Sequence, residues 1–500
     1  MLFNSYQFIF FFLPLLLLVY YFVAKMAPQR LPLLLLAASL SFYALWGFGF
    51  LALLLGMICL NWAFGQTLAA MPDPLPEERK SGFTRKHLLT LALLVNLAPL
   101  CWFKYANFII DNINALLGSS LAQQSTGLPL GISFYTFVQI AYLVTVYRRQ
   151  TEAADFLPYA GFASLFPYVI SGPIVRYPQF GPQLAAPGLP KLSNIAQGIT
   201  FFVIGLAKKV LLADSLAAWA NSIFNAAHKA FPLTSAEAWL GSLAYTFQLY
   251  FDFSGYTDMA IGVALLFGLN LPDNFDSPYK STGIVDFWRR WHITLSLWLR
   301  DFLYIPLGGS RTGKLRQYRN LLLTMIIGGL WHGAGWTFII WGGLHGAMLC
   351  INHFWRAWAD RRISARIMGH PLLRLFCIAL TFLCINLAWV LFRADSLEAA
   401  RAMYAAMAQI FASDFAGGWN SLFANSYVRD LWPFIYLGIS AALVWAFPTS
   451  RQLVQGLLAN GTSPWLVWKP NRRWATALAC LAFASLILLS RKSVFLYFQF

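Results

Sequence analysis

The sequence predicts an all-α, polytopic membrane protein, and three observations carry that prediction. Of its 500 residues, 59% are hydrophobic and only 11% are charged, whereas soluble domains carry about 25% charged residues. Mean hydropathy is +0.60. Apolar runs of the length needed to cross a hydrocarbon core, about 20 residues, recur along the whole chain. The 44 Phe, 21 Tyr and 20 Trp suit interfacial belts and a large helical interior.

Candidate spans cover 8–24, 31–47, 49–70, 88–103, 129–147, 195–213, 239–251, 257–271, 320–334, 336–352, 371–392, 431–447 and 473–490. Several are short or broken by Gly and Pro, so about eleven are expected to be true crossings, with re-entrant and interfacial helices making up the rest. The first run lacks a small-residue cleavage site and reads as a retained span. No internal repeat is visible, which argues against transporter folds built from repeats. One membrane domain over 1–500 is expected, with its core at 129–353 and a closing span and aromatic tail at 473–500.

Net charge is +17, but the basic residues lie between apolar spans rather than on one soluble face. Topology and anionic lipid explain them, and nucleic acid is not an expected partner. Clusters follow the first span (Lys25, Arg30), the third (Arg79, Lys80, Arg85, Lys86) and Tyr147 (Arg148, Arg149). The densest runs from Arg289 to Arg319, and another from Arg356 to Arg374. Placing them inside puts the N-terminus outside, and the last span, entered after Lys469, Arg472 and Arg473, also ends outside. The six Cys at 59, 101, 350, 377, 384 and 480 have no metal-type spacing. They read as buried thiols, with no metal site expected.

Two adjoining segments concentrate the polar chemistry of the interior. Residues 250–259 place Asp252 and Asp258 in apolar surroundings, where a carboxylate needs a partner or a proton. Their six-residue offset does not put them side by side on a helix. A cap at the Ser254-Gly255 break, or pairing with an Arg, is the expected role. Asn270, Asn274, Tyr279 and Lys280 then bracket a Pro-containing turn. In 288–302, at about 100° per residue, Arg289, His292, Ser296 and Arg300 fall on one stripe, with Trp291, Leu295, Trp298 and Phe302 opposite. This predicts an interfacial amphipathic helix, either a lipid-surface element or the lip where a phosphorylated cytoplasmic donor enters.

The span from Leu321 contains Gly328-Gly329-Leu330-Trp331-His332-Gly333-Ala334-Gly335-Trp336. Read as one helix, this puts Gly328, Gly329, Gly335 and Trp336 on the face of His332, leaving the imidazole over small neighbours. An ionisable group at membrane depth marks a functional site unless it is a packing histidine. Orientation places His332 past the midpoint, toward the outside. The chain closes on Phe495-Leu496-Tyr497-Phe498-Gln499-Phe500, either an interfacial anchor or a segment whose Tyr497 accepts an acyl group with His332 as general base.

Together these segments resemble one family. The opening Met-Leu-Phe-Asn-Ser-Tyr, residues 103–108, 130–135, 172–174, 250–259, the Phe-Trp-Arg-Arg-Trp-His block within 287–301, the Leu-Trp-His-Gly block within 328–336 and the Phe-Leu-Tyr-Phe-Gln-Phe ending carry the likeness. The chain resembles the membrane-bound O-acyltransferases, in the bacterial branch of the alginate O-acetyltransferase membrane subunits. The resemblance implies a bacterial inner-membrane protein with helices around a central funnel or tunnel, so that the outward termini given by the charge pattern fall on the periplasmic side. It implies an acetyl group taken from cytoplasmic acetyl-CoA, with no tightly bound cofactor, and passed to an extracytoplasmic polysaccharide with a partner acetyltransferase outside. Alginate is the favoured acceptor, with peptidoglycan and cellulose as alternatives.

By the same resemblance His332 is the essential histidine, His292 the second, and Tyr497 the acyl-carrying tyrosine. Arg289, Arg300, Ser296, Trp331, Asp252 and Asp258 are candidates for lining the donor tunnel. Outside the family reading, a lipid-linked saccharide flippase or a scaffold for an export complex competes. Neither needs a reactive histidine.

Overall fold

In the computed structural model of the chain, residues 1–72, 83–125, 127–311, 313–362, 364–409, 431–456, 465–489 and 495–496 are described. No β-strand occurs among them; one isolated bridge joins Phe275 and Trp291. Five helical stretches are long and apolar enough to cross a membrane: Phe8–Met26, Phe48–Ala70, Arg85–Leu117, Leu192–His228 and Pro371–Arg393. Ile132–Tyr147 and Trp432–Ala446 are shorter apolar helices.

The chain folds as two compact units, one of Met1–Phe202 with Tyr256–Pro272, the other of Val203–Gly255 with Asp273–Phe500. The first contains α1 (Leu13–Met26), α2 (Leu31–Ala44), α3 (Phe48–Ala70), α4 (Arg85–Leu100), α5 (Ala106–Leu117), α6 (Ile132–Tyr147), α7 (Phe156–Ser164) and α8 (Tyr177–Ala185). Its apolar helices are tied by buried amides. Asn61 donates to Asn96 and Gln139 at 3.0 and 2.9 Å, Asn96 returns a bond at 2.6 Å, and Tyr159 donates to Gln139 at 3.2 Å. Lipid gives no hydrophobic drive between helices, so such polar contacts fix which faces meet.

Two helices run through both units, α9 (Leu192–Ala207) and α11 (Ser235–Leu266). The 239–251 and 257–271 runs are therefore not two spans: α11 continues through Ser254-Gly255 without a break. Gly255 marks a close helix approach instead, since a Cβ there would stand 2.8 Å from the Gly205 carbonyl oxygen.

The second unit adds α10 (Asp214–His228), α12 (Ile284–Arg290), α13 (Ile293–Leu299), α14 (Lys314–His332), α15 (Trp336–Arg362), α16 (Ala365–Met368), α17 (Pro371–Arg393) and α18 (Leu397–Ala408). Helices Trp432–Ala446, Ser450–Gln455 and Arg472–Leu488 follow. Its centre is α14 and α15 packed against one another as a hairpin. A Cβ on Gly329 would lie 2.3 Å from the Phe338 carbonyl oxygen, and one on Gly342 would lie 2.3 Å from that of Met325. Both obstacles are backbone, so neither can step aside. Gly329→Ala is expected to destabilise the protein by about 1–3 kcal/mol through overpacking. Gly343→Ala, whose new methyl would meet Ile326 at 3.9 Å, should leave thermal melting in detergent unchanged; equal melting of the two variants would contradict this packing.

The cysteines depart from expectation. Cys59, Cys101 and Cys480 are exposed and the other three only partly covered. A membrane helix is apolar on all sides, so an apolar run does not reveal which face is inside.

Candidate active site

The hairpin turn places the first candidate. Helix α14 ends at His332, because Gly333 adopts an extended conformation (φ −157°, ψ 146°) and α15 begins only at Trp336. The expectation that Gly335 and Trp336 share a helical face with His332 is thus wrong: the Gly-Ala-Gly triplet is the turn itself. His332 is 5% exposed and sits in an aromatic box, its ring centre 5.3 Å from Trp341, 5.2 Å from Phe392 and 4.7 Å from Trp331.

His292 is not on a helical stripe with Arg289, Ser296 and Arg300. The chain leaves α12 at Trp291 in extended conformation, and His292 takes a left-handed one (φ 43°, ψ 54°) before α13 resumes. Pairing with the loop before it causes the break. Asp276 N–H donates to the Arg290 carbonyl and Ile293 N–H to that of Asn274, both at 3.0 Å. A left-handed non-glycine residue costs about 1–3 kcal/mol and is held only by its surroundings.

Those surroundings are explicit. Asn274 Oδ1 accepts from Thr294 N–H at 3.2 Å and Thr294 Oγ1 at 2.9 Å, and stands 3.1 Å from His292 Nδ1. An amide oxygen only accepts, so Nδ1 carries the proton and Nε2 the lone pair. Complete burial pushes the imidazole pKa down to about 3, so His292 is neutral at ordinary pH. Asn274, expected only to shape a turn, fixes this tautomer. The ring packs at 4.7 Å on Phe253 and at 6.3 Å on Trp331, so the rings of His292 and His332 meet the same indole.

A cavity of about 220 Å³ opens beside the two short helices, lined by Trp288, Arg289, Ser296, Arg300, Tyr304, Thr324, Met325, Leu349 and His353 among others. The arginines and Ser296 are thus brought together, and His292 is excluded from the group. Leu299 lines the cavity and also touches Gly328, 3.3 Å from where a Cβ there would be. Gly328 is one turn before His332, and Met325 lies about 10 Å from it along the helix at 1.5 Å per residue. Arg300 is more than half exposed and bonds Asp301 at 2.6 and 3.1 Å. Such a surface pair is easily exchanged for an incoming anion.

The remaining candidates fall elsewhere. Trp331, Asp252 and Asp258 do not line the cavity. Asp252 is paired with Lys209 at 2.6 Å, a lysine rather than the expected arginine, and Asp258 belongs to the other compact unit. Tyr497 lies outside the described residues.

Besides His353 on the cavity wall, His345 also escapes the sequence reading. His345 is fully buried, with Nδ1 accepting the Trp288 indole N–H at 3.3 Å and its ring 4.6 Å from Trp341. It sits in Gly342-Gly343-Leu344-His345-Gly346, the same histidine-among-glycines signal that singles out His332. Through Trp288 it braces one wall of the cavity.

A buried histidine at a helix end, together with a cavity lined by arginines in a helical membrane protein, marks a candidate enzyme site. Residues 81–392 match the model of MBOAT, the membrane-bound O-acyltransferase family. The chain belongs to that family and is an acyltransferase. It is 44% identical to the probable alginate O-acetylase AlgI of Azotobacter vinelandii over 81% of this chain and 78% of that protein. To the protein of the same name from Pseudomonas putida it is 41% identical, each covered in full. It is also 39% identical to the peptidoglycan O-acetyltransferase of Helicobacter pylori, over 100% of this chain and 98% of that one.

Proposed function

We propose that the protein takes an acetyl group from cytoplasmic acetyl-CoA and delivers it for O-acetylation of an extracytoplasmic polysaccharide, with Tyr497 as the covalent carrier. The observation that carries this reading is the cavity that runs from Arg289 and Arg300 to Leu299 on Gly328, one turn below His332. A guanidinium pair suits a diphosphate and an apolar bore suits a pantetheine arm. The protein is read as a bacterial inner-membrane enzyme with its cavity mouth inward, both termini outward and a partner acetyltransferase outside the membrane.

The chemistry follows from the groups present. His332 takes the phenol proton of Tyr497, whose reference pKa is near 10. The phenolate oxygen attacks the thioester carbonyl, an O–C bond forms, the C–S bond breaks, and the leaving thiolate takes the proton from the imidazolium. A sugar hydroxyl later attacks the tyrosyl ester, and the phenol regains its proton. The aromatic box around His332 excludes water, which would hydrolyse that ester. Neutral His292, locked by Asn274, packs on Trp331 and positions it against His332.

An alginate-type polymer is the favoured acceptor, on the likeness to the Azotobacter and Pseudomonas proteins. Peptidoglycan is the second reading, because the Helicobacter protein matches end to end. Deleting the protein and analysing acetate in each polymer separates them. The donor site has its own test. Arg289→Ala combined with Arg300→Ala is expected to raise the KM for acetyl-CoA about tenfold with kcat little changed. An unchanged KM contradicts the assignment.

A further inference from the structure

The chain's last described residues are buried against one ionic cluster. Phe495 and Leu496 are 1% and 4% exposed. Lys209 Nζ lies 2.6 Å from Asp252 and 2.8 Å from Asp214, and 4.6 Å from the centre of the Phe495 ring. Leu496 N–H donates to the Asp252 oxygen that Lys209 does not take, at 3.1 Å. Over these three side chains two carboxylates share one ammonium. Lys209 bonds one oxygen of Asp252, and the other oxygen faces the tail.

A buried carboxylate that shares its cation is costly unless further hydrogen bonds satisfy it. Here the tail supplies one from its backbone, a charge-assisted bond independent of side-chain identity. The cation over the Phe495 ring adds a second point of attachment. Two adjacent residues held at two points fix both the position and the direction of the segment.

We propose that Asp252 is a docking residue for the chain's own carboxyl-terminal segment, setting the register of the next residue, Tyr497, for acyl transfer. A line of contacts leads from the dock to the site. Phe253, next to Asp252, packs on His292, which packs on Trp331, which packs on His332. Asp252 touches no reacting atom in this scheme; it is a positioning residue. The consequence for activity rests on Tyr497 being the carrier, whereas the docking itself does not.

The test uses the full-length protein in detergent with Asp252→Ala, which leaves the Lys209–Asp214 pair neutral. Hydrogen exchange of the Leu496 amide, read on the carboxyl-terminal peptic fragment, is expected to speed up about tenfold or more on losing a bond to a charged acceptor. The kcat should fall by a similar factor with the KM for acetyl-CoA unchanged. Asp252→Asn, which keeps an acceptor oxygen, should restore much of both. Unchanged exchange overturns the dock whatever the activity. A rise in KM alongside the fall in kcat overturns the positioning role in favour of a general structural one. Faster exchange with an unchanged kcat leaves the dock standing and overturns its role in setting the register of Tyr497; the carrier itself is tested separately by Tyr497→Phe. Should Asp252→Ala fail to accumulate, Leu496→Pro removes the N–H and leaves the cluster whole. It is read by exchange at the Phe495 amide and the same kcat and KM split.

Discussion

Replacing His332 with alanine is expected to abolish acetylation of the polymer while the protein accumulates in the membrane at its normal level. General-base catalysis contributes about 10²- to 10⁴-fold, and no other imidazole occupies this position. His345 and His332 both pack on Trp341, but His345 receives the Trp288 indole N–H on its Nδ1. His292 is held by Asn274. The alanine also empties part of the box formed by Trp341 and Phe392, so His332→Phe is the companion variant. It refills the box without a proton acceptor and should be equally inactive. Retained acetylation in His332→Phe contradicts the base role; activity recovered only by refilling would assign His332 to packing.

Tyr497→Phe is expected to remove transfer almost as completely, by deleting a single oxygen. The ring that remains keeps the tail aromatic, and the preceding residues keep their bonds to Asp252 and Lys209. Loss of transfer therefore reports on the hydroxyl rather than on docking. Acetyl-CoA binding should be unaffected, since the proposed donor cavity is built from α12, α13, α14 and α15 and the residues joining them. Full activity of Tyr497→Phe rules out the covalent carrier and leaves direct transfer to the acceptor.

Much of the architecture is legible because membrane helices announce themselves by composition and length. The spans near 49–70, 371–392 and 473–490 correspond to helices Phe48–Ala70, Pro371–Arg393 and Arg472–Leu488. The departures share one physical origin. Ser254-Gly255 reads as a break, yet its glycine serves close helix contact; Gly333 to Gly335 reads as helix, yet there glycine does end one. A glycine in sequence signals either conformation or proximity, and only the neighbouring helix decides which.

The two short helices show the complementary failure. Nothing local in Trp291-His292 ends a helix; the loop at 274–276 pairs with it and overrides a good amphipathic period. Periodicity still groups Arg289, Ser296 and Arg300 correctly, because each lies on the cavity side of its own short helix or of the turn after it. Lys209 is not visible in sequence as the partner of Asp252, because the pair is 43 residues apart and joined only by packing. The likeness to family blocks singles out His292 and His332, and geometry adds that Trp331 joins them.

The most direct test of the acyl relay is to incubate purified protein with acetyl-CoA carrying an isotope-labelled acetyl group, quench, and map the label by peptide mass spectrometry. Labelled acetate is expected on Tyr497 in the unaltered protein and none in His332→Ala. Transfer to acceptor with no label ever found on Tyr497, or labelling that persists undiminished without His332, would contradict the relay.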